Sequence, residues 1–110
     1  MLRESVTYVI NRQETWQGVC ATEPVEAGWA TEAIFFVRGM DKATGELPNI
    51  RAQISPDGMR WTDEGASVRI PREKDALEFL RVRHFGNWLR LVAELPEGAL
   101  CSLLVSVHLK

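Results

Sequence analysis

Hydrophobic and polar residues alternate along most of this chain, the period-two signature of strands that bury one face. Val6, Tyr8 and Ile10 alternate with Ser5, Thr7 and Val9. Ile50, Ala52 and Ile54 alternate strictly with Asn49, Arg51, Gln53 and Ser55. Val68 and Ile70 alternate with Ser67 and Arg69 up to Pro71, and Leu89, Leu91, Ala93 and Leu95 with Trp88, Arg90, Val92 and Glu94. The last run has Cys101, Leu103, Val105, Val107 and Leu109 on one face, with Ser102, Leu104, Ser106 and His108 on the other. A weaker strand spans Trp16–Thr22 and stops at Pro24. Ile34-Phe35-Phe36-Val37-Arg38 is apolar on both faces, the pattern of a strand covered by a layer on each side.

Turn chemistry punctuates these runs. Ser55-Pro56-Asp57-Gly58 presets φ with proline and frees the backbone with glycine, so Met59-Arg60-Trp61-Thr62 returns as a hairpin. Phe85-Gly86-Asn87 and Pro96-Glu97-Gly98 supply later turns, and Asp41–Asn49 is a polar loop. Residues 72–81 stay open between two readings. Pro71 with Leu77 and Leu80 three apart permits a helical turn, whereas Phe79–His84 favours extended backbone after a short loop. Seven or eight strands and no convincing long helix predict an all-β antiparallel sandwich forming a single domain over 1–110, with a closed barrel as the alternative.

Composition adds exclusions. The 110 residues are 45% hydrophobic and 25% charged, typical of a globular domain. A chain of this size has material for one core but little for a core plus a deep substrate cavity, which weighs against a self-contained enzyme. The longest apolar stretch, Ala33 to Val37, is far shorter than the ~20 residues of a membrane-spanning helix. Met1–Tyr8 lacks the basic-then-apolar order of an export signal, so synthesis in the cytoplasm is expected. Cys20 and Cys101 could pair only if strands near the two ends were neighbours; reduced, buried thiols are the default and the pairing stays open. The first 58 residues hold 5 basic and 8 acidic side chains and the remainder 8 and 7, interleaved, so no basic stripe for nucleic acid forms.

Two family resemblances attach to residues 34–110. Gly45-Glu46-Leu47-Pro48, an alternating strand, Ser55-Pro56-Asp57-Gly58-Met59-Arg60-Trp61-Thr62-Asp63-Glu64-Gly65, and then Phe85-Gly86-Asn87-Trp88-Leu89-Arg90-Leu91-Val92 resemble the central elements of small jelly-roll domains. One relative is the discoidin, or coagulation-factor C-type, domain; this chain is shorter and lacks its paired cysteines and long ligand loops, so the sugar- or lipid-binding role does not carry over. The other is a set of short bacteriophage and phage-derived particle components. That resemblance implies a non-enzymatic, self-assembling or surface-decorating role.

Candidate chemistry is sparse. His84 and His108 have no nucleophile elbow, metal-binding helix or phosphate loop around them, so no catalytic residue, metal site or cofactor is assigned. Asp57 has a local task in its own turn, and the loop carboxylates do not follow the twelve-residue calcium pattern. Trp88 shares a nominal outer face with Arg90, and Trp29 sits in a loop; an exposed aromatic beside an arginine is typical of protein interfaces. Trp61 is expected to pin its hairpin to the core. Leu104 and Val92 also fall on nominally polar faces, which predicts a covering partner.

The function expected is therefore a non-enzymatic structural or interaction module. It would form a homo-oligomer or join other subunits of a larger, phage-like assembly, through Trp88, Arg90 and Trp29. The alternative is a carbohydrate-binding module of galactose-binding-like type, holding a glycan with Asp41, Asp57 and Trp61. Neither nucleic acid nor a membrane is expected as a partner.

Overall fold

The computed structural model describes residues 5–110, with side chains throughout except at positions 13 and 14. The reading of a missing export signal rests partly on residues 1–4, outside the described residues. Nine strands follow in order: β1 (Val6–Trp16), β2 (Val19–Ala21), β3 (Val25–Glu26), β4 (Glu32–Gly39), β5 (Ile50–Ser55), β6 (Thr62–Val68), β7 (Leu77–Arg83), β8 (Trp88–Glu94) and β9 (Cys101–Leu109). The front sheet runs β1-β9-β4-β7. The back sheet runs β2-β8-β5-β6, with β3 also pairing β8. All pairings are antiparallel.

Taking β2 and β3 together as one interrupted edge leaves two four-stranded antiparallel layers, the β-sandwich expected from the alternation. The count of nine rather than seven or eight comes from that interruption: β3 is two residues long and carries no pattern of its own.

The core lies between the two inner faces. β9 contributes Cys101, Leu103, Val105, Val107 and Leu109 from the middle of the front sheet, and β8 contributes Leu89, Leu91 and Ala93 from the middle of the back sheet. Trp16 is the largest wholly buried side chain, closing the β1 end over this seam. Residues 72–81 form no helix: a turn at Glu73–Ala76, with Asp75 at φ 67°, precedes β7. Leu77 points outward and Leu80 inward, a strand's alternation rather than a helix's stripe.

The edges are unequal. β1 carries two register shifts against β9, each inserting one extra residue. β6 is bulged opposite β5, where Gly65 adopts φ 116°. β2 and β3 are very short. β7 is the edge that is both long and paired along its whole length without a shift.

Strands near the two chain ends are indeed neighbours, as β1 pairs β9. Cys20, however, sits on β2 in the other sheet, and both thiols are free. Burial raises the Cys101 thiol to about 11, with Cys20 nearby as the smaller cause. Cys20 is half-buried rather than buried, and its Sγ donates to the Gln17 carbonyl at 3.2 Å.

Candidate functional site

The outer face of the back sheet holds most of the residues singled out from the sequence. Register places Arg51 beside Val92, Gln53 beside Arg90 and Ser55 beside Trp88, so these six share that face. Their polar groups are bonded to one another. Arg90 Nε donates to Gln53 Oε1 at 2.9 Å, and Gln53 Nε2 donates to Asp63 Oδ1 at 3.0 Å. Arg51 bridges Asp63 and Glu94, donating to both oxygens of the latter. These bonds hold the Glu94 and Asp63 carboxyls below their ordinary values, chiefly through Arg51 for the first and Gln53 for the second. Burial lowers the Arg90 guanidinium, which lies 4.2 Å from the centre of the Trp61 ring in a cation–π contact.

Trp88 points outward as its alternation predicts but is not free. The β5–β6 turn folds back over it, and a Cβ on Gly58 would stand 3.3 Å from its ring, while Gly58 itself holds φ 79°. The positive φ favours glycine there, and a side chain would also press on the ring by a few tenths of an ångström. Trp61 corrects an expectation: it stands outside the core, half-buried on the outer face against Arg90. The physical reason is the guanidinium beneath it, which offers an indole face a partner the apolar core lacks. Trp29 occupies a turn closed by an Ala30 N–H to Ala27 carbonyl bond and is 42% exposed. Ala27 bonds Asn87, and Asn87 bonds Pro56, so Trp29, Trp88 and the Ser55–Gly58 turn meet at one end of the sandwich.

The alternative triad is not brought together. Asp57 accepts from the backbone N–H of Met59 and Arg60, both at 2.9 Å, and from the Arg60 side chain. Those bonds, with Ser55, lower its carboxyl to about 2. Asp41 caps its own loop at the Lys42 N–H. That loop bridges Thr44 to Leu100, at the β8–β9 end, whereas Asp57 and Trp61 lie at the opposite end, where β8 begins. Asp41 is thus separated from the other two by the length of β8. Among the described residues no group of three His, Cys, Asp or Glu could hold a metal ion.

The outer face of the front sheet is different in kind. Cross-strand register sets Phe79 (β7), Phe36 (β4), Ser106 (β9) and Val9 (β1) in one row. Leu77, Arg38 and Leu104 form the next row; Arg81, Ile34, His108 and Thr7 form the row on the other side. Phe36 packs against Phe79 at 6.5 Å and meets the His108 ring edge-on at 5.2 Å. Arg81 lies 4.9 Å over the Phe79 ring, and Thr7 Oγ1 stands 3.1 Å from His108 Nδ1. Leu77 is 57% and Phe79 50% exposed. β4 therefore has one face in the core and the other, Ile34 and Phe36, at the surface; the second covering layer expected from its sequence is not supplied by the described residues of this chain. A shallow depression of about 130 Å³ between β4 and β7, lined by Glu32, Ile34, Arg81 and Arg83 among others, flanks this face.

The reading from sequence missed Phe36, Phe79 and Leu77 as surface candidates. Their signal lay in the two-sided apolar stretch at 34–37, but only the pairing of β4 with β7 shows that their aromatic rings adjoin.

No protein-family model matches the chain, and no curated protein matches it. Among solved structures, a chain from Bacillus endospore appendages, described as a novel family of disulfide-linked pili, has a similar fold at 8% identity and TM-score 0.46, covering 97% of this chain and 83% of that one. The likeness is of all-β architecture. Neither particle proteins nor discoidin domains gain support from these comparisons.

Proposed function

We propose that this domain is a non-enzymatic structural module that self-associates through the outer face of its front sheet. The observation that carries the reading is the exposed pair Leu77 and Phe79 beside half-buried Phe36, with Ile34 and Leu104 half-buried in the neighbouring rows and Arg38 between the two leucines. Apolar side chains gathered on one side of an antiparallel sheet mark a surface that a partner covers. The back sheet supports the same choice by contrast, since its polar groups already satisfy each other. Trp88 and Arg90 then serve to fasten the β5–β6 hairpin, and Trp29 is left as a flanking contact. The wider setting we read is a subunit of a larger protein assembly such as a phage-like particle, a reading supported by the sequence resemblance over residues 34–110.

Light scattering on the purified chain tests this. The wild type is expected to populate oligomers at micromolar concentration. Phe79→Glu is expected to weaken association at least tenfold, the equivalent of about 1.4 kcal/mol or more for removing an interface anchor. A wild-type monomer throughout the concentration range, or an unchanged oligomer in Phe79→Glu, would overturn the proposal.

A further inference from the structure

The four sheet edges differ in how they are defended. Natural sheets block edge-to-edge pairing with bulges, short strands, proline, charged side chains or a covering segment. β1 and β6 are bulged and β2 and β3 are short. β7 has seven residues, no proline and an unbroken ladder to β4 on one side only. Of its three charges, Glu78 leans inward and is matched by Arg69 at 3.2 Å, while Arg81 and Arg83 stand outward, so β7 is charged but regular. Its outer row of main-chain groups forms a template for another strand.

We infer that β7 pairs antiparallel with β7 of a second copy about a two-fold axis at Leu80, joining the two front sheets into one. This rests on the self-association proposed above and adds a second contact to it, since edge pairing leaves the outer face itself for a further copy to cover. Partners across an antiparallel ladder share a face, so the axis must pass through a residue rather than between two. An axis at Arg81 would set that arginine against itself, which is unfavourable. An axis at Phe79 leaves Val82 and Arg83 opposite residues of the preceding turn. The axis at Leu80 alone pairs all seven residues: Leu77 with Arg83, Glu78 with Val82, Phe79 with Arg81, and Leu80 with itself. It repeats between copies the arginine-over-phenylalanine contact already present within one chain. It also makes the two apolar faces continuous.

Hydrogen exchange on the wild-type chain, followed with light scattering, tests this without a mutation. The alternate β7 amides that point away from β4 are expected to exchange about ten times more slowly or better where the oligomer dominates than where it is dissociated. A chain carrying both Leu77→Cys and Arg83→Cys, with Cys20→Ser and Cys101→Ala, keeps the Phe79 and Arg81 contacts and is expected to form covalent dimers with diamide far more readily than either single-site chain. Oligomers whose β7 exchange does not respond to concentration would overturn the edge pairing and leave the apolar face standing. Protection at β7 without the cross-link would overturn the Leu80 axis in favour of pairing with a different edge. A monomer at every concentration would remove both proposals.

Discussion

Asp57 shows how one side chain can look like a ligand and act as a brace. Its carboxylate collects the N–H groups that the Ser55–Gly58 turn would otherwise leave to water, and Ser55 Oγ accepts from Asp57 and Gly58. These bonds favour the ionised form, which is why its carboxyl falls from 3.8 to about 2. A carboxyl whose folded pKa lies below its unfolded value stabilises the fold above the unfolded value and ceases to do so as pH falls through the folded one. The contribution of Asp57 is thus complete above about pH 4 and gone below about pH 2. Asp57→Asn is expected to be less stable than wild type near neutrality, with the difference narrowing between pH 4 and pH 2. Urea unfolding across that range checks it; a difference independent of pH would show that the charge has no part in the turn.

The lesson repeats at the scale of strands, where neighbouring residues have opposite fates. Phe35 is wholly buried between the sheets, while Phe36 lies on the outer face against Phe79 and His108. Phe35→Ala leaves a cavity and is expected to cost about 3–5 kcal/mol of folding stability. Phe36→Thr keeps a strand-forming residue at the surface and is expected to cost below about 1.5 kcal/mol in the isolated chain, while weakening association. Denaturant titration in dilute solution separates the two; equal losses would place both rings in one core. β5 was legible in the sequence because it strictly alternates, β8 and β9 because only Val92 and Leu104 break their alternation, and the Ser55–Gly58 hairpin because proline and glycine fix its backbone. β7 was legible only in part, since Leu77 and Leu80 fit a helical spacing as well as they fit a strand. The outer face of the front sheet was half written, in the two-sided apolar run at 34–37 and in Leu104. Its other half depends on β7 lying beside β4, a pairing between segments some forty residues apart that no local pattern encodes. The separation of Asp41 from Asp57 and Trp61 is equally non-local, since it follows from which end of β8 each loop reaches.

At the scale of the molecule, assembly and stability become one quantity. Anything that binds the native chain and not the unfolded one stabilises it by mass action, a second copy included. Where the dimer is the populated native species and unfolds directly to two chains, a tenfold rise in concentration adds about 1.4 kcal/mol per dimer. Unfolding entropy of about 2.1 cal/mol/K per residue gives roughly 0.5 kcal/mol/K for two chains of 110 residues. The expected shift is therefore about 3 °C in Tm for each decade of concentration. Calorimetry over two decades would show a rise of about 6 °C for the wild type on this arithmetic. Phe79→Glu, whose substitution lies on the exposed face, would show little or none over the same range. The comparison isolates assembly from intrinsic stability because a monomer of any stability has a Tm independent of concentration. A wild-type Tm that stays flat would mean that the apolar front face and the regular β7 edge are tolerated in water rather than covered by another copy.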